Sequence, residues 1–167
     1  MVLPFQPMVT KFETERLFLR MWEETDAHWY SDLMHERGLP KPAIDFTHNK
    51  ISTFHQDFLK NGLSLLVIER KLEADCIGYC GLVIGRTTLE EPEIAYELFQ
   101  HAHGNGYATE AAQAIMKIAK ATGRKRLWST VRAWNTASLR VLEKLDFEVQ
   151  HRTSDEQGEI VWNTFDF

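Results

Sequence analysis

The stretch HAHGNGYATE, His101 to Glu110, holds two glycines one residue apart. An apolar run precedes it and an Ala-rich run follows. Strand, glycine turn, helix is an arrangement that suits phosphate: the first amides of the helix lack partners and the helix dipole favours an anion. A dinucleotide turn would need glycine or alanine at 109, where the chain has Thr109, and an acid on the next strand, where RLWSTVRAW has none. A P-loop would need Gly-Lys-Ser/Thr, which does not occur. A purely structural turn stays open, because glycine also serves simply to let a strand pass into a helix. His101 and His103 have metal-ligand spacing but no third ligand nearby, so no metal is expected. Cys76 and Cys80 lie four apart on one strand, with Cα atoms about 13 Å apart, too far for a disulfide. They read as core or half-buried thiols in a reducing compartment.

The totals limit the partners. A chain of 167 residues is expected to form one domain, 1–167, with a core of its own. A composition of 44% hydrophobic and 26% charged residues argues against disorder. The net charge of −5 argues against nucleic acid, which needs a basic face. The start, MVLPFQPMVTKF, lacks the basic n-region and apolar run of a signal peptide. No apolar run approaches 18 residues, so no membrane segment is expected and the cytoplasm is the expected location.

The elements that must position the turn follow from periodicity. RLFLRMW alternates as a strand, with Leu17, Leu19 and Met21 on one side. EETDAHWYSDLMHERG opens with acids and a capping Thr or Asp and stops at Gly38, so it reads as a helix. Thr47 to Asn61 repeats apolar residues at helical spacing and stops at Gly62. Three strands follow: LSLLVIER, CIGYCGLVIGR and EIAYELFQ. The three glycines of the middle one point to a bulge or a close backbone approach. A helix from about Tyr107 to Thr122 should bury Tyr107, Ala111, Ile115, Ile118 and Ala119. RLWSTVRAW is a strand, Asn135 or Thr136 caps a short helix, and FEVQHRT and EIVWNTF close the chain. This order predicts an α/β (α+β) domain with a mixed sheet.

Taken together, these stretches resemble the GNAT acetyltransferase superfamily, and within it the branch of ribosomal-protein N-terminal acetyltransferases (RimJ/RimL-like). ETERLFLRMWEETDA is similar to that branch's first strand and helix, and EIAYELF to its fourth strand. HGNGYATEA resembles its acyl-CoA pyrophosphate loop, and NTASLRVLEKLDF its second motif. The resemblance implies a mixed, mostly antiparallel sheet of about seven strands flanked by about four helices. It implies acetyl-CoA as acyl donor, a primary amine as acceptor and a monomer or homodimer. It implies a pyrophosphate cradle of His103, Gly104, Asn105, Gly106, Tyr107, Ala108 and Thr109. Backbone groups near Leu98 and Phe99 are implied for the pantetheine arm, and Asn135 and Ser138 for the second motif.

Three positions depart from the family pattern. His103 stands where Arg or Gln is usual. Asp146 replaces a glycine that often adopts a left-handed conformation, which Asp tolerates better than most residues. Leu142 occupies the place of a tyrosine general acid, and Ser138 is the candidate for hydrogen-bonding the departing sulfur, or else a helix-cap residue.

Acetyl transfer needs a neutral amine. A lysine is neutral roughly once in 2,500 at pH 7, an α-amine about 10–20% of the time. The family often places a carboxylate on the strand at 93–100 as base. Glu93, Ala95 and Glu97 share one face of it by alternation. Glu93 matches the family acid first and Glu97 second, unless a bulge exchanges them. A different class of function, a non-catalytic acyl-CoA sensor, is favoured by Leu142 and His103.

Overall fold

The computed structural model describes residues 4–167. The first three residues, part of the stretch read against a signal peptide, lie outside the described residues. The strands are β1 (Phe12–Glu13), β2 (Leu17–Arg20), β3 (Leu65–Arg70), β4 (Cys76–Val83), β5 (Glu93–Leu98), β6 (Arg126–Arg132), β7 (Glu148–Asp155) and β8 (Gly158–Asp166). The helices are α1 (Ala27–His35), α2 (Ile44–Asn61), α3 (Tyr107–Ala121) and α4 (Thr136–Lys144), with 3-10 turns at Glu24–Asp26 and Gln100–Ala102. One sheet runs β1-β2-β3-β4-β5-β6-β8-β7. It is antiparallel except for β5 beside β6. The two-residue strand β1 makes eight strands where about seven were expected.

Alternation decides which side chains reach the core. Ile94 and Leu98 of β5 join Ile77, Cys80 and Leu82 of β4 and Leu127 of β6 in the main core, under the buried stripe Ala111, Ala112, Ile115, Met116 and Ala119 of α3. On the other sheet face, Trp22, Ala27, Tyr30, Ile51 and Val67 form a second cluster beneath α1 and α2. No helix among the described residues is long and apolar enough to cross a membrane.

The β4 glycines do what their number suggested. A Cβ at Gly81 would lie 2.2 Å from the Ser64 carbonyl oxygen, so backbone packs directly on backbone there. The register of β3 against β4 shifts between Ile68 and Glu69. Asp146 adopts the left-handed conformation expected of the glycine it replaces, with φ +66°.

The arrangement that makes a site is the parting of β5 and β6. Residues 93–98 of β5 pair with β4 without a break, so no bulge exchanges Glu93 and Glu97. Against β6 the ladder holds a single pair, Glu93 with Trp128. Beyond it the strands diverge, and the edge of β5 that would face β6 becomes a cleft wall.

Candidate active site

A cleft of about 610 Å³ runs from this parting to the glycine turn. That volume lies within the roughly 300–1,000 Å³ of ordinary small-molecule pockets. Tyr96, Glu97 and Leu98 of β5 form one wall, and Asn135, Ser138 and Val141 of the α4 region form the other. His103, Gly104, Gly106, Tyr107, Ala108 and Thr109 close one end.

That end is built for an anion. Gly106 is the residue before α3 and takes φ +79°, a left-handed conformation glycine adopts at no steric cost. The first bond of the helix runs from Glu110 N–H to the Gly106 carbonyl. Among the described residues, the N–H groups of Gly104 to Thr109 have no hydrogen-bond partner, so a fan of donors sits on the positive end of a fifteen-residue helix. His103 does not extend this fan. Its Nε2 lies 3.0 Å from the Leu98 carbonyl oxygen and ties the turn back to β5. His101 stacks on Phe99 instead, with ring centroids 5.3 Å apart. No group of three metal-ligating side chains occurs among the described residues.

The β5 wall carries a carboxylate. Glu97 receives hydrogen bonds from Arg37 Nε at 2.8 Å and Arg37 Nη2 at 2.5 Å, and from the Tyr79 hydroxyl at 3.2 Å. The bonds to Glu97 raise the pKa of Arg37, so the guanidinium stays charged. Burial raises that of Tyr79, so its phenol stays a donor. Tyr96 points to the other side of the sheet, where its hydroxyl donates to the Ser138 carbonyl at 3.0 Å and spans the cleft wall to wall. Burial raises its pKa as well.

The second motif divides its work. Asn135 Oδ1 accepts the Ser138 N–H at 3.2 Å and so caps α4. Ser138 is thus not the capping residue, and it lines the cleft. Leu142 is 1% exposed and packs in the main core, so no donor stands in that position. At the rim, Trp134 is 75% exposed, and Arg140 and Lys144 follow one turn apart along α4.

Two expected site residues are elsewhere, and a third contributes only its backbone. Glu93, the first choice as base, is 6% exposed and does not line the cleft. It sits where β5 and β6 still pair, and accepts from the Arg86 N–H at 3.0 Å and the Thr130 hydroxyl at 3.1 Å. Burial raises its pKa against these two bonds. Phe99 donates its N–H to the Ile77 carbonyl and its carbonyl accepts the Ala102 N–H, so it has no free backbone donor, and it does not line the cleft. The Asn105 side chain folds back on the carbonyls of Ala102 and His103. Sequence reasoning in turn missed Arg37 and Tyr96. The Tyr of EIAYEL was the one available signal, since alternation opposes it to Glu97.

Residues 16–148 match the model of the acetyltransferase (GNAT) domain, and the chain belongs to that family. Several solved structures share the fold. An acetyltransferase from Agrobacterium tumefaciens is 26% identical with a TM-score of 0.80, covering 95% of each chain. The ribosomal-protein-S5-alanine acetyltransferase from Vibrio fischeri is 18% identical with a TM-score of 0.78, over 95% of this chain and 97% of that one. RimL, the ribosomal L7/L12 α-N-protein acetyltransferase solved with coenzyme A, is 14% identical with a TM-score of 0.79, over 92% and 96%. No curated protein matches the chain in sequence.

Proposed function

We propose that this protein transfers an acetyl group from acetyl-CoA directly to a primary amine, either a peptide N-terminus or a small-molecule amine. The observation that carries this reading is the fan of unpartnered amides from Gly104 to Thr109 in a cleft whose β5 wall carries the Glu97 carboxylate. The amides and the dipole of α3 take the pyrophosphate. The open edge of β5 near Leu98 runs beside the pantetheine arm. Ser138 on the opposite wall donates its hydroxyl to the departing sulfur. Glu97 orients the incoming amine and receives its proton, with Arg37 and Tyr79 fixing the carboxylate's direction. An α-amine, already about 10–20% neutral at pH 7, asks less of this carboxylate than a lysine would.

Direct transfer is favoured by the thiols. Cys80 is fully buried, and burial pushes the Cys76 thiol up to about 11. Neither lines the cleft. The alternative, a sensor that binds the coenzyme without turnover, is supported by the core position of Leu142.

The test is free-thiol release from acetyl-CoA against a panel of amines and peptides, with products identified by mass spectrometry. Glu97→Gln should lower kcat/KM by about 100-fold, within the range general bases contribute, and leave coenzyme affinity within about twofold. An unchanged pH–rate profile removes Glu97 as base. Tight coenzyme binding with no product on any acceptor replaces the enzyme reading with the sensor.

A further inference from the structure

The glycine turn is held from behind by the first hairpin, and this hold has a direction. Arg16 Nη1 donates to the Asn105 carbonyl at 2.9 Å. Arg16 Nε donates to Glu110 at 2.7 Å, and the Arg16 N–H and the Thr14 hydroxyl reach the same carboxylate at 2.9 and 2.5 Å. The guanidinium carbon lies 4.4 Å from the centre of the Tyr107 ring. One side chain therefore grips the turn, the first residue of α3 and the first turn of that helix. Burial alone would raise the pKa of Glu110, but the bonds from Thr14 and Arg16 outweigh it and the net shift is downward, so Glu110 stays ionised.

A trans peptide points its C=O and N–H in opposite directions. All described peptides are trans. Holding the Asn105 carbonyl on the Arg16 side therefore turns the N–H of Gly106 away from Arg16. Gly106 lines the cleft and Arg16 does not. A left-handed glycine is the place where a peptide plane rotates most readily, because glycine populates both signs of φ about equally. Rotation there would place a carbonyl oxygen where the anion needs a donor.

We infer that Arg16 is a positioning residue for coenzyme binding: it sets the orientation of the Asn105–Gly106 peptide and so aims the amide donors of the glycine turn. This inference rests on the acetyl-CoA reading above. A lysine keeps the charge but cannot hold Glu110 and the Asn105 carbonyl at once, because it lacks the guanidinium fork.

Arg16→Lys and Arg16→Gln should weaken coenzyme A binding, measured by calorimetry, about 10- to 100-fold, the size of one charge-assisted hydrogen bond. KM for acetyl-CoA should rise with kcat nearly unchanged. The kinetics of S-acetyl-N-acetylcysteamine, a donor with no pyrophosphate, should stay within about twofold, which a general loss of structure would not allow. Thr14→Val removes a bond to Glu110 without touching the turn, so it should lower the melting temperature and spare the affinity. Coenzyme affinity within twofold of wild type in both Arg16 variants overturns the inference and leaves the acetyltransferase reading standing. Equal losses with both donors also overturn it. Wild-type protein that fails to bind coenzyme A overturns the acetyltransferase reading, and this inference with it.

Discussion

Replacing Gly106 by alanine tests the anion end of the cleft in its simplest form. Gly106 has φ +79°, where a side chain costs about 1–2 kcal/mol. A new methyl group also narrows the unfolded ensemble, which returns about 0.4–1 kcal/mol. The net loss should be about 1 kcal/mol. No hard clash adds to it, because a Cβ at 106 meets only Arg16 Nη2, at an ordinary 3.5 Å. For a chain of this size the melting temperature should fall by about 2–4 °C. The effect on coenzyme A should be larger than the effect on the fold. The strained residue relaxes by rotating out of the left-handed region, and the amides on either side rotate with it. Valine extends further toward Arg16 and should push the guanidinium off the Asn105 carbonyl, so Gly106→Val should lose more affinity than Gly106→Ala. Gly104→Ala is the comparison. It carries a similar φ of +78° with no atom within 4 Å, so it should cost the same stability without disturbing Arg16. Urea unfolding and calorimetry with coenzyme A measure both quantities. Gly106→Val that binds coenzyme A like wild type would refute the assignment of this turn.

Two further outcomes follow from the geometry. Asn135→Ala removes the oxygen that accepts the Ser138 N–H, and should cost about 1 kcal/mol in urea unfolding; an unchanged midpoint would show that the cap contributes nothing. Glu93→Gln keeps an acceptor for Arg86 and Thr130 but removes a buried charge whose pKa is raised by burial above its ordinary 4.5. A raised carboxylate contributes stability that is full below pH 4.5 and lost as pH rises through the folded value. Wild type should therefore lose stability relative to Glu93→Gln on going from pH 4.5 to 7. Parallel stability curves for the two proteins would contradict the buried position of Glu93.

Much of the fold was legible because it rests on local rules. Alternation identified β2, and Gly62 ended α2 in the left-handed conformation that helix stops favour. Asp146 was readable for the same reason: the backbone conformation of a helix end is dictated within a few residues. The glycine turn was legible as the passage from strand to helix, and Asn135 as one of two candidate caps. The acid was not. Period 2 places Glu93 and Glu97 on one face of a strand, but it carries no information about where along the strand a cleft begins. That depends on β6, which leaves β5 after the single pair Glu93–Trp128. Phe99 failed for a related reason, since Ile77 on β4 takes its N–H.

The sequence by itself determined the order of elements, the turn with its glycines and a cap for α4 at Asn135 or Thr136. These depend on contacts between near neighbours in the chain, whose geometry a few backbone torsions settle. Tertiary structure alone decided which carboxylate faces the cleft and what holds the turn. Arg37 meets Glu97 across 60 residues, and Arg16 meets the Asn105 carbonyl across 89. Contacts of that length exist only once the sheet has chosen its register and the two strands have parted. No periodicity in the chain encodes the point of parting, and the chemistry of the site is placed by it.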